Sequence, residues 1–100
     1  MQRVKKEIAK LRKEIDEIDK QLINLLSKRK EIVLKIGKIK KENKLRIEDK
    51  KREKDIIRRI ETMSKKKNVD PTLAKKIIML LIQNAKKIQS SISRRKRSIQ

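Results

Sequence analysis

Apolar residues fall at Val4, Ile8, Leu11, Ile15, Ile18, Leu22 and Leu25, and the series resumes at Ile32, Ile36 and Ile39. The steps alternate four and three, a spacing that places all of these side chains on one stripe of an α-helix and on no single face of a strand. The pattern predicts one helix over about 2–41, roughly 60 Å long at 1.5 Å per residue. Asp16 with Lys20 and Glu31 with Lys35 add i,i+4 ion pairs on the outer face in the favourable order. One slot of the stripe, where another leucine belongs, holds Arg29.

After this helix, "ENKLRIE" at 42–48 breaks the period and reads as a loop, with Asn43 suited to a helix C-terminus. A second helix is expected over about 49–67, with Ile56, Ile57, Ile60 and Met63 inward. "NVDPT" is the clearest punctuation in the chain, because Asp70 can cap a helix whose first position is Pro71, where a missing N–H costs nothing. The third helix is expected over about 71–92, with Leu73, Ile77, Leu80, Leu81 and Ile88 inward. The tail "SSISRRKRSIQ" loses the period and gathers four basic residues, so fraying is expected from about Ser93.

One hundred residues with one Gly and one Pro therefore read as a single all-α domain over 1–92, three helices long, medium and medium, followed by a basic tail at 93–100. A 60 Å helix is about twice the span of a small domain. Two shorter helices cannot cover its whole stripe, and a partner chain is expected to cover the rest, giving a homodimer.

The balance of 33 Lys and Arg against 13 Asp and Glu, a formal charge of +20, attracts anything anionic, from nucleic acid to a small dicarboxylate. Absence of Cys removes thiolate chemistry and disulfides, and absence of His removes the commonest acid–base catalyst; no metal or cofactor is expected. The longest apolar run, Ile77 to Ile82, is far short of a membrane span, and the N-terminus is too charged for a signal peptide, so a cytoplasmic protein without membrane partners is expected. Phe, Tyr and Trp are absent while Lys, Ile and Asn abound. AT-rich codon drift favours Phe and Tyr as well, so the composition reads as a restricted alphabet.

Several residues stand out against this background. Burying an unpaired guanidinium costs several kcal/mol. Arg29 in the stripe is therefore expected to meet an anion, or to fix helix pairing as a polar residue at a core position does. Lys40 lies three turns further on and projects from nearly the same face, although a helix-end lysine is also favoured by the macrodipole. Asp49, Arg52 and Glu53 stand at i, i+3 and i+4, a set able to hold a hydroxyl and a carboxylate, or alternatively an N-cap with an exposed ion pair. Gln89 extends the apolar line Ile77, Leu81 and Ala85 by one turn, as a buried amide or at a frayed helix end. Gly37 costs about 1 kcal/mol relative to Ala inside a helix, which close approach of a backbone or a ligand would justify. The runs Lys65 to Lys67 and Arg94 to Arg97 read most simply as solvated surface.

Taken together, "LRKEIDEIDKQLINLLSKR", "IGKIK", "DKKRE" and "IQNAKKIQ" resemble, in order and without a gap from about Leu11 to Gln89, the all-helical family of chorismate mutases. The resemblance implies an intertwined helical homodimer with two active sites shared between chains, and a place in aromatic amino acid biosynthesis, in the shikimate pathway. It implies that Arg29 and the partner chain's Arg12 clamp the carboxylates of chorismate, with Arg52 assisting. Helix geometry agrees, since Arg12 is roughly 25 Å from Arg29 and about 100° round the same helix. Lys40 and Gln89 would donate to the ether oxygen, and Asp49 and Glu53 would hold the ring hydroxyl. Ala85 stands where many relatives carry Ser or another polar residue near a carboxylate, which implies weaker substrate binding rather than inactivity.

Rearrangement of chorismate to prephenate needs neither a covalent intermediate nor proton transfer, which suits a chain with no Cys and no His. Two other readings remain. A basic helical nucleic-acid binder would exploit the same charge non-specifically by counterion release, but the chain lacks an aromatic stacking platform and intersperses acids with lysines through its first 61 residues. A non-catalytic coiled-coil-like dimer would follow if the aromatic-free core packed loosely.

Overall fold

A computed structural model describes the backbone of residues 1–99 and the side chains of residues 1–92. The chain is all-helical: α1 spans Gln2–Glu42, α2 Lys50–Lys66 and α3 Pro71–Ile99, with no strand among the described residues. The third helix thus runs past the expected end near residue 92. The side chains of the expected frayed, basic tail lie outside the described residues. Among those described, no helix is long and apolar enough to cross a membrane.

The helix ends follow from local chemistry. Asp49, extended at φ −135 and ψ 90, caps α2 by accepting a hydrogen bond from the Arg52 backbone N–H, and Asp70 Oδ1 accepts from the Thr72 N–H at 3.0 Å just inside Pro71. At the other end, α1 and α2 stop in the same way. Lys44 and Asn68 take left-handed φ values of 54 and 56. The following N–H groups, of Leu45 and Val69, then reach back to the carbonyls of Lys40 at 2.7 Å and Ser64 at 2.8 Å. These are Schellman closures, which satisfy carbonyls the helix leaves open. Asn43 assists one residue earlier than the left-handed position, its side-chain amide donating to the Ile39 carbonyl at 2.8 Å.

By its contacts the chain forms two units, Met1–Ile32 and Val33–Gln100, and the division falls inside α1. The first unit is a single stretch of helix whose whole apolar stripe, from Val4 to Leu25, is exposed; Arg29 alone in it is half-buried. In the second unit α2 packs against α3, with Ile56, Ile57 and Ile60 half-buried on one helix and Leu81, Ile82 and Ile88 covered on the other. Lys75 joins the two helices through a 3.0 Å ion pair with Glu61. The hydrogen bond from Lys75, with its charge, holds the Glu61 carboxyl below the ordinary range of a glutamate.

Several side chains expected inward are exposed in the single chain: Met63, Leu73, Ile77 and Leu80, the last at 71%. On α2 the buried residue is Ser64, next to Met63, whose hydroxyl donates to the Glu61 carbonyl at 2.9 Å and so needs no partner from elsewhere. Only Val33 and Ile82 are buried apolar residues among those described, a very thin core for 100 residues.

A left-handed conformation costs a residue with a Cβ roughly 1–2 kcal/mol, and Lys44 accepts that cost at an exposed position. Lys44→Gly relieves it, at some expense in unfolded-chain entropy, and is expected to stabilise the fold by about 0.5–1 kcal/mol. Thermal melting followed by circular dichroism checks this. An unchanged or lowered Tm would count against the Schellman ending of α1.

Candidate active site

The polar centre of the second unit is built on Gln89, a side chain on α3 that is only 7% exposed. A buried amide is stable only when its donors and acceptor are used, and here both ends are. Its Nε2 donates to the Val33 carbonyl of α1 at 3.2 Å, and its Oε1 accepts from Lys40 Nζ at 3.4 Å. The frayed helix end that could have explained an amide at this position is ruled out by these bonds and by the continuation of α3. Lys40 also donates to the Ile47 carbonyl in the loop after α1, at 2.8 Å. An ammonium carries three N–H donors. Two are used among the described residues.

Gly37 explains how α1 and α3 come close enough for this. A Cβ on Gly37 would stand 3.0 Å from Gln89 Cγ and 3.0 Å from Ile92 Cδ1, tighter than ordinary contact. The close approach accounts for a glycine here, as its place inside a helix suggests. Beside it Lys41 donates to the Ile92 carbonyl at 2.8 Å, a second tie between the end of α1 and α3.

A further charged group lies at the start of α2. Glu53 is half-buried, and its Oε2 is shielded from solvent with no aligned hydrogen-bond donor, yet Lys86 Nζ of α3 stands 3.0 Å from it as an ion pair. The same ammonium donates to Glu48 Oε1 at 3.3 Å. Contact with the Glu53 carboxylate, followed by that with Glu48, pushes the Lys86 pKa up against the opposing effect of desolvation. Asp49 and Arg52 are exposed, the first serving as N-cap; Ala85 on α3 is half-buried and brings no polar side-chain atom. No group of three or more carboxylates that could hold a metal ion occurs among the described residues.

The fold thus brings Lys40 and Gln89 into direct contact and puts Glu53 at the α2–α3 packing. Arg12, exposed, and Arg29, half-buried, belong to the Met1–Ile32 unit. Sequence reasoning missed the Ile47 and Val33 carbonyls, which no side-chain pattern reveals, and it missed Lys86 and Glu48. Lysine is so abundant here that one more on α3 carries no signal; only its ion pairs distinguish it.

Gly37→Ala tests the close approach. The substitution gains about 1 kcal/mol of helix propensity. The new methyl must displace Ile92 Cδ1, which is a flexible end, and Gln89 Cγ, which is held from both sides. The Gln89 side-chain amide signals are expected to shift in 15N NMR spectra while helicity is kept. Unmoved Gln89 signals would show that Ile92 alone makes room.

Comparison with known proteins places the chain in a family. Residues 11–90 match the family model described as chorismate mutase type II. The chain is 37% identical over 82 residues to a chorismate mutase of Methanocaldococcus jannaschii, an alignment covering 82% of this chain and 83% of that one. It is 33% identical over 81 residues to a bifunctional chorismate mutase/prephenate dehydratase of Buchnera aphidicola and 28% identical over 82 residues to the bifunctional protein of Escherichia coli strain K12. It spans 81–82% of its own length in these alignments but only 21% of those longer proteins. With a family match across residues 11–90 and a 37% identical chorismate mutase aligned over 82% of the chain, this three-helix protein belongs to the type II chorismate mutase family.

Proposed function

We propose that the chain works in the cytoplasm as an intertwined homodimer that rearranges chorismate to prephenate. The single observation that carries the reading is the pair of half-buried Lys40 and buried Gln89, a fixed cation and amide that the Val33 and Ile47 carbonyls hold in place. Donors fixed before the substrate arrives need no reorganisation during the reaction, and negative charge developing on an ether oxygen is stabilised by them more than the ground state is. The remaining N–H of Lys40 and the second N–H of Gln89 are the groups assigned to that oxygen. Arg29, with Arg12 from the partner chain and Arg52, is assigned to the two carboxylates, because the planar fork of a guanidinium binds a carboxylate bidentately. Asp49 and Glu53 are assigned to the ring hydroxyl. Holding the side chain of the substrate over its ring removes the entropic part of the barrier.

The dimer is supported by what the single chain leaves uncovered. A helix of 41 residues keeps its stripe exposed along the Met1–Ile32 unit, and a core with two buried apolar residues among those described is too small to stabilise a 100-residue fold alone. A second copy offers the same stripe, and isologous pairing of two such helices buries both. It would also unite the chain's two units into the one functional domain over 1–92 that the sequence suggests. The charge of +20 favours capture of a doubly negative substrate at a rate that falls with ionic strength.

Loss of chorismate absorbance with purified protein is the direct test. Lys40→Ala is expected to lower kcat by on the order of 10²–10³-fold, the effect of removing one fixed donor, and Arg29→Ala to raise KM strongly. A helical, dimeric parent protein without turnover above background would end this reading. In the same assay Ala85→Ser is expected to increase kcat/KM by restoring a polar contact to a substrate carboxylate. A serine variant no better than the parent would show that this contact is supplied elsewhere.

A further inference from the structure

Lys86 has no assigned role, yet it is the cation that the fold brings to the shielded oxygen of Glu53. Its side chain is 25% exposed and that of Glu53 23%. Because it sits on α3, its reach to Glu53 on α2 and to Glu48 in the preceding loop ties three segments together at one ammonium. A carboxylate oxygen removed from water normally accepts an aligned hydrogen bond. Glu53 Oε2 does not: the ammonium at 3.0 Å supplies charge without a well-directed N–H. The ammonium thus fixes where this shielded oxygen lies and, with it, the plane of the carboxylate.

We propose that Lys86 is a positioning residue. Resting on the reading of this chain as a chorismate mutase, its role is to hold the Glu53 carboxylate in one orientation, so that Glu53 accepts from the substrate's ring hydroxyl. Lys86 itself does not touch the substrate. Its two anions divide the work: Glu48, through the hydrogen bond at 3.3 Å, fixes where the ammonium sits, and the ammonium then fixes Glu53. A neutral side chain at position 86 would leave two carboxylates, Glu48 and Glu53, facing each other's charge without a cation between them, and Glu53 would turn outward to water.

The role separates from a merely structural one by which constant moves. Contact with a hydroxyl that is the same before and during the reaction contributes to uniform binding, which appears in KM rather than kcat. Loss of fold lowers the amount of active enzyme, and therefore apparent kcat, at unchanged KM. Steady-state kinetics on the full-length parent, Lys86→Met, Lys86→Arg, Glu53→Gln and the double variant Lys86→Met/Glu53→Gln decide between them. Lys86→Met is expected to raise KM for chorismate about tenfold with kcat within about threefold of the parent, and Lys86→Arg to recover most of that loss by restoring the charge. The double variant is expected to be no worse than Glu53→Gln alone, because Lys86 acts through Glu53.

If the parent turns over but Lys86→Met keeps its KM, or the two single effects multiply in the double variant, the positioning role is wrong while the function stands. If Lys86→Met loses helicity, Lys86→Arg decides in its place: parental KM with Glu53→Gln impaired supports the role, and an arginine variant as impaired as Glu53→Gln overturns it. A parent without turnover removes both readings together.

Discussion

An apolar face that its own chain cannot cover governs this molecule. α1 carries its stripe from Val4 to Ile39 on a helix of 41 residues, and the Met1–Ile32 unit brings no second element against it. A lone helix is marginal in water even when its sequence favours helix, because nucleation is costly and most helical stability comes from tertiary burial. Among the described residues the two buried apolar ones, Val33 and Ile82, supply little of that burial. The same shortage explains the exposure of Met63, Leu73, Ile77 and Leu80, which are placed at helical spacing as core residues are but find nothing to cover them within one chain.

Within the Val33–Gln100 unit, the polar interior is organised by reach. Gly37 lets α3 approach α1 to a distance at which a glutamine side chain can contact a main-chain carbonyl, and Gln89 then bonds to Val33 and accepts from Lys40. Each member limits the freedom of the next. Lys40 is further held by Ile47, so the Schellman ending of α1, which turns the chain at Lys44, also sets the loop carbonyl that the ammonium uses. Backbone geometry at a helix end is in this way coupled to the position of a side chain assigned to catalysis.

Charge acts at two ranges here. The overall excess of 20 positive charges works at a distance and is screened by salt, which suits capture of an anion but specifies no geometry. Close ion pairs specify geometry instead. Glu61 with Lys75 joins α2 to α3, and Lys86 gathers Glu48 and Glu53 where those helices meet the loop. With 13 acids against 33 Lys and Arg, most basic residues have no carboxylate of their own to meet, so an acid buried beside a lysine is the informative partner of the two.

The amino-acid sequence alone determined the three helices, because periodicity, the Asp49 and Asp70 caps and Pro71 are local signals whose meaning needs no neighbour. Helix starts and ends came within a residue or two except at the end of α3, where apolar period is lost after residue 92 but the helix persists to Ile99. Gly37 and Gln89 were also legible as residues out of keeping with their helical positions, and Lys40 only through the face it shares with Arg29. Only the tertiary structure decided who meets whom: that Gln89 bonds to a carbonyl of α1, that Ser64 rather than Met63 turns inward, that Lys44 rather than Asn43 takes the left-handed turn, and that Lys86 pairs with Glu53. The reason is physical. Main-chain carbonyls are the same at every position and lysines are nearly so in this composition, so their partners are chosen by the crossing of helices in space, which spacing along one chain does not encode.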